Sequence, residues 1–423
     1  MTQEAQVIVV GGGIVGICSA LSLAERGVSV CLVDRDAPGH GASMGNAGVI
    51  SPFSVVPQSL PGLWKNIPRW LLDPLGPVAV RPAYLPRFLP WALRFLSRGT
   101  EAQVRSTSAA MDRLNHDNVH LYRRLLQGTG HEGLVKDSAY VFAYRDSGKA
   151  RLDTLENDLR RLSGARLDRV DASELHRLEP ALSSDYRAAI IMGGQARAIS
   201  PGMICAALAE KLRGLGGRIE QAEVQALRRT SEGWSVKTAS RVMLASQVVL
   251  AAGAWSMRLL APLGLRLPLE AERGYHALFR DPAIGLNNSV MDMDMKFVAS
   301  SMDMGLRAAG TAEFAGLDSP PNPKRFAALK ANAKRMCPDL RVDTVEAWSG
   351  IRPSFPDSLP VIGELPGLAG LIGAFGHSHW GFMMGPRTGQ IVADLATGRT
   401  PNCDMTPYGA ARFGKTAFAA LPD

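Results

Sequence analysis

The stretch Gly11-Gly12-Gly13-Ile14-Val15-Gly16 constrains the chain more than any other. It lies between an apolar run, Val7-Ile8-Val9-Val10, and a helix-like stretch from Ile14 to Ala24. Gly27 ends that stretch, and Val28-Ser29-Val30-Cys31-Leu32-Val33 reads as a second strand closing on Asp34. The whole is one β-turn-α-β unit. In the spacing Gly11-x-Gly13-x-x-Gly16 the first glycine permits the turn out of the strand. The second lets backbone approach a pyrophosphate, and the third lets helix pack closely on sheet. The helix N-terminus presents unpaired N–H groups and a partial positive charge to phosphates, and Asp34 stands where a carboxylate accepts from ribose hydroxyls. These features imply a bound adenine dinucleotide. An acid at the ribose favours NAD or FAD over NADP.

At 423 residues the chain exceeds one ordinary core and suggests two domains with room for interleaving. A hydrophobic content of 46% against 20% charged residues excludes a disordered chain. No apolar run is long enough for a bilayer-spanning helix, which needs about eighteen residues. Met1 to Gln6 is polar and lacks a secretory pattern, so the expected location is the cytoplasm. Cys18, Cys31, Cys205, Cys337 and Cys403 are scattered, which argues against a disulfide framework and against zinc, and no metal site is expected. The net charge of +8 raises nucleic acid as a partner, but there is no long basic run and no aromatic-basic interleaving of a reader module. An anionic membrane surface or anionic substrates account for the sign as well.

Beyond Asp34, the small-residue loop Gly39-His40-Gly41-Ala42-Ser43-Met44-Gly45-Asn46-Ala47-Gly48 lets backbone amides lie against a flat ligand, and Val49-Ile50 resumes a strand. Residues 51–100 are aromatic (Phe53, Trp64, Trp70, Tyr84, Phe88, Trp91, Phe95) and basic (Lys65, Arg69, Arg81, Arg87, Arg94, Arg98), with Asp73 the one acid. Prolines at 52, 57, 61, 68, 74, 77, 82, 86 and 90 predict short pieces rather than long helices or strands. Aromatic and cationic short helices suit a membrane surface or a docking partner. Ala102 to Gln127 reads as one helix carrying His116 and His120 on a face, more plausibly solvated than metal-binding.

Further on, Ser200-Pro201 starts a helix that runs to about Arg213, and residues 217–238 read as a strand meander. Val248 to Ser256 is a buried strand ending in small residues. Arg273-Gly274-Tyr275-His276-Ala277 opens a β-rich section, and Val290 to Val298 alternates as one strand with acids and methionines on opposite faces. A helix is expected over Pro323–Met336. Near the end, Gly376-His377-Ser378-His379-Trp380-Gly381-Phe382-Met383-Met384-Gly385-Pro386 is a glycine-rich turn feeding a helix expected over Arg387–Ala396, a second anion-stabilising device.

Taken in order, the glycine loop, Gly39 to Ser51, Val248 to Ser256, Gly310 to Phe314, Trp348 to Gly363 and Gly376 to Gly389 resemble the FAD-dependent D-amino-acid oxidoreductase (DAO) family. The likeness is greatest to its bacterial D-amino-acid dehydrogenase small-subunit and glycine oxidase branch. Asn46-Ala47-Gly48-Val49-Ile50-Ser51 and Trp348-Ser349-Gly350-Ile351-Arg352-Pro353 carry it most specifically. The resemblance implies an α/β fold with a Rossmann-like FAD-binding domain (1–50, 185–265, 345–423). Interleaved with it is an α+β substrate domain on an antiparallel sheet (51–184, 266–344, with the insert at 51–100).

The resemblance implies FAD rather than NAD, held noncovalently because Arg352-Pro353-Ser354 lacks the cysteine that links flavin in related sarcosine oxidases. It implies cofactor contacts from Gly11, Gly13, Ile14, Val15, Gly16, Asp34, Arg35, Ser43, Asn46, Ala47, Gly48, Val49, Val224 (adenine, by backbone), Ala252, Gly253, Trp255, Arg352, Gly376, His379, Gly381, Phe382 and Met383. Arg352 would take the substrate carboxylate, with Tyr275 and His377 as further pocket residues. The implied reaction is oxidative deamination of a D-amino acid to the 2-oxo acid and ammonia by hydride transfer to flavin. The insert at 51–100, longer and more apolar than in the family's soluble oxidases, departs from the pattern and favours a quinone-type acceptor at a membrane. The expected location is therefore the cytoplasm, with the inner-membrane surface as the alternative. A secondary amine such as D-proline or hydroxyproline, or a role as flavin subunit of a larger complex, is the alternative.

Overall fold

The computed structural model describes residues 4–73 and 75–414. Met1 to Gln3, Pro74 and residues 415–423 lie outside the described residues, and so do the expectations that fall on them. β1 (Ala5–Val10), α1 (Ile14–Ala24) and β2 (Val30–Asp34) form the expected unit, with β1 and β2 parallel. Val242–Leu250 pairs parallel with the other edge of β1, Leu371–Phe375 continues in parallel beyond it, and Arg218–Gln221 extends the sheet past β2. The unbroken apolar runs of β1 and Val248-Val249-Leu250 are what parallel strands covered on both faces require. On one face α1 packs against the helix Gly381–Ala396, so closely that a Cβ on Gly389 would overlap the backbone of Cys18. Cys18, Cys31, Cys205 and Cys337 are buried and unpaired, as small hydrophobes.

The second sheet is mixed, mostly antiparallel, and larger. From the 51–100 insert come α2 (Ile67–Leu72) and α3 (Leu85–Ser97), which flank it. Its edge is built by β3 (Glu270–Phe279), β4 (Gly305–Phe314) and β5 (Val345–Ser354), in the order β5-β3-β4. The sheet continues through Phe297–Met302, Ser289–Asp292, Val135–Tyr144 and Ala188–Ala198 to Val49–Ile50. Thus Val49–Ile50, Ala188–Ala198 and β5, expected with the dinucleotide fold, hydrogen-bond in the second sheet. Pairing partners decide sheet membership, and pattern alone does not show them.

Four local expectations are corrected. The insert does form a long helix: α3 contains Pro86 in its first turn and Pro90 inside, and it is held by Phe88 and Trp91 packing on Phe314. The helix expected over 102–127 breaks at Asp117, whose φ of 58° is left-handed, so His116 and His120 lie on different helices, or at their ends. Residues 290–298 make a hairpin, not one strand, because Asp292 Oδ1 accepts from the Asp294 and Met295 N–H groups and turns the chain. Finally, the last long helix begins at Gly381 rather than Arg387 and runs through Pro386. Proline cannot bond to the carbonyl four residues back, and here the Tyr122 hydroxyl donates to that carbonyl, Phe382 O, in its place.

Candidate active site

A single cavity of about 1260 Å³ runs between the two sheets, from Glu223-Val224 past Gly11–Val15 to β3 and β5. That exceeds the span of ordinary small-ligand pockets, roughly 300–1,000 Å³, and suits an extended ligand plus a second molecule. At its first end α1 begins at Gly13 without a side-chain cap, and Gly13, Ile14 and Val15 line the wall. Gly11 has φ 113°, and a Cβ there would overlap the Ala251 carbonyl; one on Gly16 would overlap the Gly11 carbonyl. Asp34 Oδ1 accepts from the Asp36 N–H at 2.8 Å, and its other oxygen accepts from the Gly12 N–H, which fixes the carboxylate on the rim. Arg35 lies over the Trp255 ring at 4.1 Å. Ser43 Oγ accepts from the Ile14 N–H at 2.9 Å and ties the next loop to the helix start.

The second loop, 43–48, is held from the other sheet. Arg307 on β4 donates to the Met44 carbonyl at 2.9 Å and to the Asn46 carbonyl at 2.7 Å. His276 on β3 reaches the Gly45 carbonyl at 3.2 Å and stacks on Trp348 of β5 with ring centroids 4.8 Å apart. A Cβ on Gly45 or Gly350 would overlap that tryptophan. Burial, with Arg280 adding repulsion, pushes the Arg307 guanidinium down to about 10. Burial and then Arg307 push His276 down to about 3.

At the far end, Glu272 of β3 and Arg352 of β5 are register partners. Arg352 Nη1 donates to Glu272 Oε1 at 2.7 Å and to the Thr311 carbonyl at 3.0 Å. Burial alone would raise the Glu272 carboxyl, but Arg352, His379 and the hydroxyl of Ser354 together hold it below the usual carboxylate range. Thr311 and Ser378 both adopt positive φ, 58° and 49°, and their buried hydroxyls have no hydrogen-bond partner among the described residues. Both line the cavity.

Residues 6–395 match the family model described as FAD dependent oxidoreductase. The chain belongs to that family. It is 36% identical, over 98% of its length and 100% of the relative's, to a protein of Bradyrhizobium diazoefficiens named D-amino-acid oxidase. It is also 30% identical, over 93% of its length and 96% of the relative's, to a D-amino acid dehydrogenase of Vibrio atlanticus. Among solved structures, the glycine oxidase from Geobacillus kaustophilus superposes with a TM-score of 0.75 at 24% identity, covering 97% of this chain and 99% of that one. The fold is therefore that of the family's flavoenzymes, and the choice left open by the glycine loop falls on FAD. The site fits it: a long cavity, a helix start whose N-cap residue, Gly13, has no side chain to block the approach of a phosphate, and glycines whose Cβ positions are filled by backbone.

Of the family positions expected to touch FAD, all line the cavity except Gly16 and Gly48. Gly16 serves helix–strand packing, and a Cβ on Gly48 would crowd the Ala198 carbonyl in the neighbouring strand. Tyr275 and His377 also line the cavity, but their polar atoms are bonded elsewhere. The Tyr275 hydroxyl pairs with Glu313 and accepts from the Asn322 N–H at 2.7 Å, and burial helps push it to about 12. His377 Nε2 bonds the Thr388 hydroxyl at 3.0 Å, joining the turn to the last helix. Glu272, Gln58, Thr311, Arg307 and Trp348 were not singled out as site residues. Only the alternation Glu272-x-Gly274-x-His276, which puts three residues on one face, could have pointed to any of them.

Proposed function

We propose that the chain oxidatively deaminates a D-amino acid to the 2-oxo acid and ammonia. The observation that carries this reading is Arg352, fixed at one nitrogen and open at the others, inside the cavity that starts at the glycine loop. Two separate relatives, 36% and 30% identical over nearly the full chain, are named for D-amino acids. Bound FAD, held noncovalently, would accept two electrons from the substrate Cα–N unit, and water would then hydrolyse the imino acid.

The chain's own residues bind and orient. Gly11, Gly13 and the start of α1 would hold the pyrophosphate, Asp34 the ribose, and the backbone at Val224 the adenine. The loop 43–48, pinned by Arg307 and His276, and the start of the Gly381 helix would flank the flavin ring, the latter offering positive potential to its anionic form. Arg352 would grip the carboxylate as a planar fork. Gly274, Gly310 and Gly350 leave the floor beside it flat, and Tyr140, Phe142, Met291 and Val298 offer an apolar wall for a side chain. The neutral amine needs no committed base in this scheme, which agrees with Tyr275 and His377 being bonded elsewhere.

A quinone-type acceptor, reached at a membrane surface, is the finer part of the proposal. Leu71, Leu85 and Leu89 of α2 and α3 are both exposed and part of the cavity lining, and Trp64, Leu72 and Leu93 extend the apolar ridge outward. No helix among the described residues is long and apolar enough to cross a membrane. The name of the 36% relative favours molecular oxygen as a second reading of the acceptor. Anaerobic mixing of the purified protein with a panel of D- and L-amino acids, D-proline and hydroxyproline tests the reaction. Bleaching of the flavin absorbance by D-enantiomers is expected, and bleaching by L-enantiomers alone, or by none, overturns it. Oxygen uptake compared with reduction of a soluble quinone then separates the acceptors.

A further inference from the structure

The carboxylate behind Arg352 is the hub of a hydrogen-bonded chain that the proposed reaction leaves without a role. Glu272 is buried. Its Oε1 accepts from Arg352 Nη1 at 2.7 Å. Its Oε2 accepts from Ser354 Oγ at 2.8 Å and, more weakly, from Gln58 Nε2 at 3.4 Å. The same Gln58 amide nitrogen stands 3.1 Å from His379 Nδ1. Four chain segments thus meet on one acid: β3, β5, the start of the insert and the turn before the last helix.

We propose that Glu272 is a positioning residue which fixes Arg352 directly, and His379 through Gln58, as two N–H donors for the substrate carboxylate. The proposal rests on the reading of Arg352 given above.

The argument for Arg352 is geometric. Nη1 is occupied by Glu272 and by the Thr311 carbonyl at 3.0 Å. The guanidinium plane lies across the α-carbon of Gly274, where any Cβ would overlap Nη2 and Cζ. Among the described residues Nε and Nη2 have no acceptor, so one guanidinium edge stays free in the cavity wall. That edge offers two parallel N–H groups, the arrangement that takes a carboxylate bidentately. Without Glu272 the long side chain would be free to rotate, and the edge would have no fixed aim.

The argument for His379 runs through hydrogen-bond polarity. An ionised carboxylate only accepts, so Gln58 must turn its NH2 group, not its oxygen, toward Glu272. The other proton of that NH2 then faces His379 Nδ1, which must accept it. A neutral imidazole that accepts at Nδ1 carries its proton on Nε2. The ring lines the cavity, and burial pushes it down to about 4, with Glu272 opposing and Arg352 reinforcing the shift. It is therefore neutral, with Nε2–H as its donor. Gln58 Oε1, buried and without a partner among the described residues, marks the cost of this orientation. In Glu272→Gln, the new amide can donate to Gln58 Oε1, which turns Gln58 round and reverses the tautomer of His379.

The test uses the FAD-loaded enzyme and two probes: the D-amino acid that reduces it fastest in the panel, and the primary amine that differs only in lacking the carboxylate. Dissociation constants and limiting reduction rates come from anaerobic rapid mixing. Glu272→Gln should weaken the amino acid by roughly 10–100-fold, the worth of one or two hydrogen bonds to a charged group. The amine's binding and the limiting reduction rate should change less than about threefold, FAD content should hold, and Glu272→Asp should restore part of the loss. In nitrogen-15 histidine spectra, the His379 signal, assigned by its loss in His379→Asn, should shift from the Nε2–H to the Nδ1–H form in Glu272→Gln.

Equal weakening of both probes, or amino-acid binding within twofold of the parent, overturns the inference. Arg352→Ala separates the two levels. If it abolishes the preference for the amino acid over the amine while Glu272→Gln does not, only the positioning role of Glu272 fails. If Arg352→Ala also preserves the preference, or no panel member reduces the parent enzyme, the reading of Arg352 falls as well.

Discussion

The two loops that bracket the cavity are built in opposite ways. Loop 11–16 is held by its own neighbourhood: Gly16 packs on Gly11, and Asp34, the end of the next strand, accepts from Gly12. Loop 43–48 is equally rich in small residues and has turn bonds of its own, Asn46 N–H to Ser43 O and Gly48 N–H to Asn46 Oδ1. But it is also pinned by Arg307, His276 and Trp348, which approach from the second sheet. One loop is self-specified and the other also depends on assembly. Damage to the first should therefore act through cofactor capture, and damage to the second through alignment of a cofactor already bound.

The largest effect is expected where both loops have done their work. Arg352→Ala should lower kcat/KM by roughly three orders of ten, about 4 kcal/mol, because a charge-assisted bidentate contact is lost and Glu272 is left buried without its cation. Steady-state kinetics within tenfold of the parent would break the assignment. Next comes Gly16→Ala. Helix propensity alone would favour alanine by about 1 kcal/mol, but overlap with the Gly11 carbonyl opposes it and costs about 1–3 kcal/mol or more. The variant should purify without flavin, read as the ratio of visible to ultraviolet absorbance. Full flavin content would show that the first loop is not self-specified in the way described.

Arg307→Leu sharpens the contrast from the other side. It strips the Met44 and Asn46 carbonyls of their donor, at about 1–3 kcal/mol for buried acceptors left unpaired. Flavin should be retained with roughly tenfold weaker affinity and an altered visible circular dichroism. An outright apo-protein would erase the distinction between the loops.

Acid should also act on the second loop first. The pKa values of His276 and His377 are pushed down to about 3, and that of His379 to about 4, each chiefly by burial. The unfolded chain binds protons at about 6.5, so it holds more protons than the folded chain between that value and the depressed ones. Stability therefore falls as pH falls through this window, and the Glu272 carboxyl, held low, adds in the same direction. Thermal melts from pH 7 to pH 5 should show a falling Tm, with the flavin signal changing ahead of the global transition; a flat profile speaks against it. The smallest effect belongs to the ridge. Leu72, 83% exposed on α2, can become serine with a change within about 0.5 kcal/mol, while retention on anionic vesicles drops. Unchanged vesicle retention removes the membrane reading and leaves the rest intact.

Legibility followed the distance over which each feature is determined. The β-α-β unit and the helix Pro323–Met336 were readable because turn, cap and apolar period lie within a few residues of one another. The break at residues 293–296 was missed because the Asp292 side chain, bonding the next N–H groups, overrode a continuous pattern. The break at Asp117 was missed because a left-handed backbone there ends one helix and starts the next with no side-chain cap to mark it. The helix through Pro386 was missed for the opposite reason, since its missing bond is replaced by Tyr122 from far away in sequence.

By itself the sequence determined the dinucleotide loop and the α/β class, because glycine geometry is intrinsic to those residues, and resemblance to the family singled out Arg352 as the proposed cation of the site. Only the tertiary structure decided what surrounds them. Glu272 faces Arg352 because two strands pair in one register, and the Tyr275 hydroxyl is engaged by Glu313 of the neighbouring strand. Gln58 and His379 meet through folding alone, since nothing in either segment encodes the other. Hydrogen-bond partners across a sheet are fixed by register and packing, and those are properties of the assembled chain.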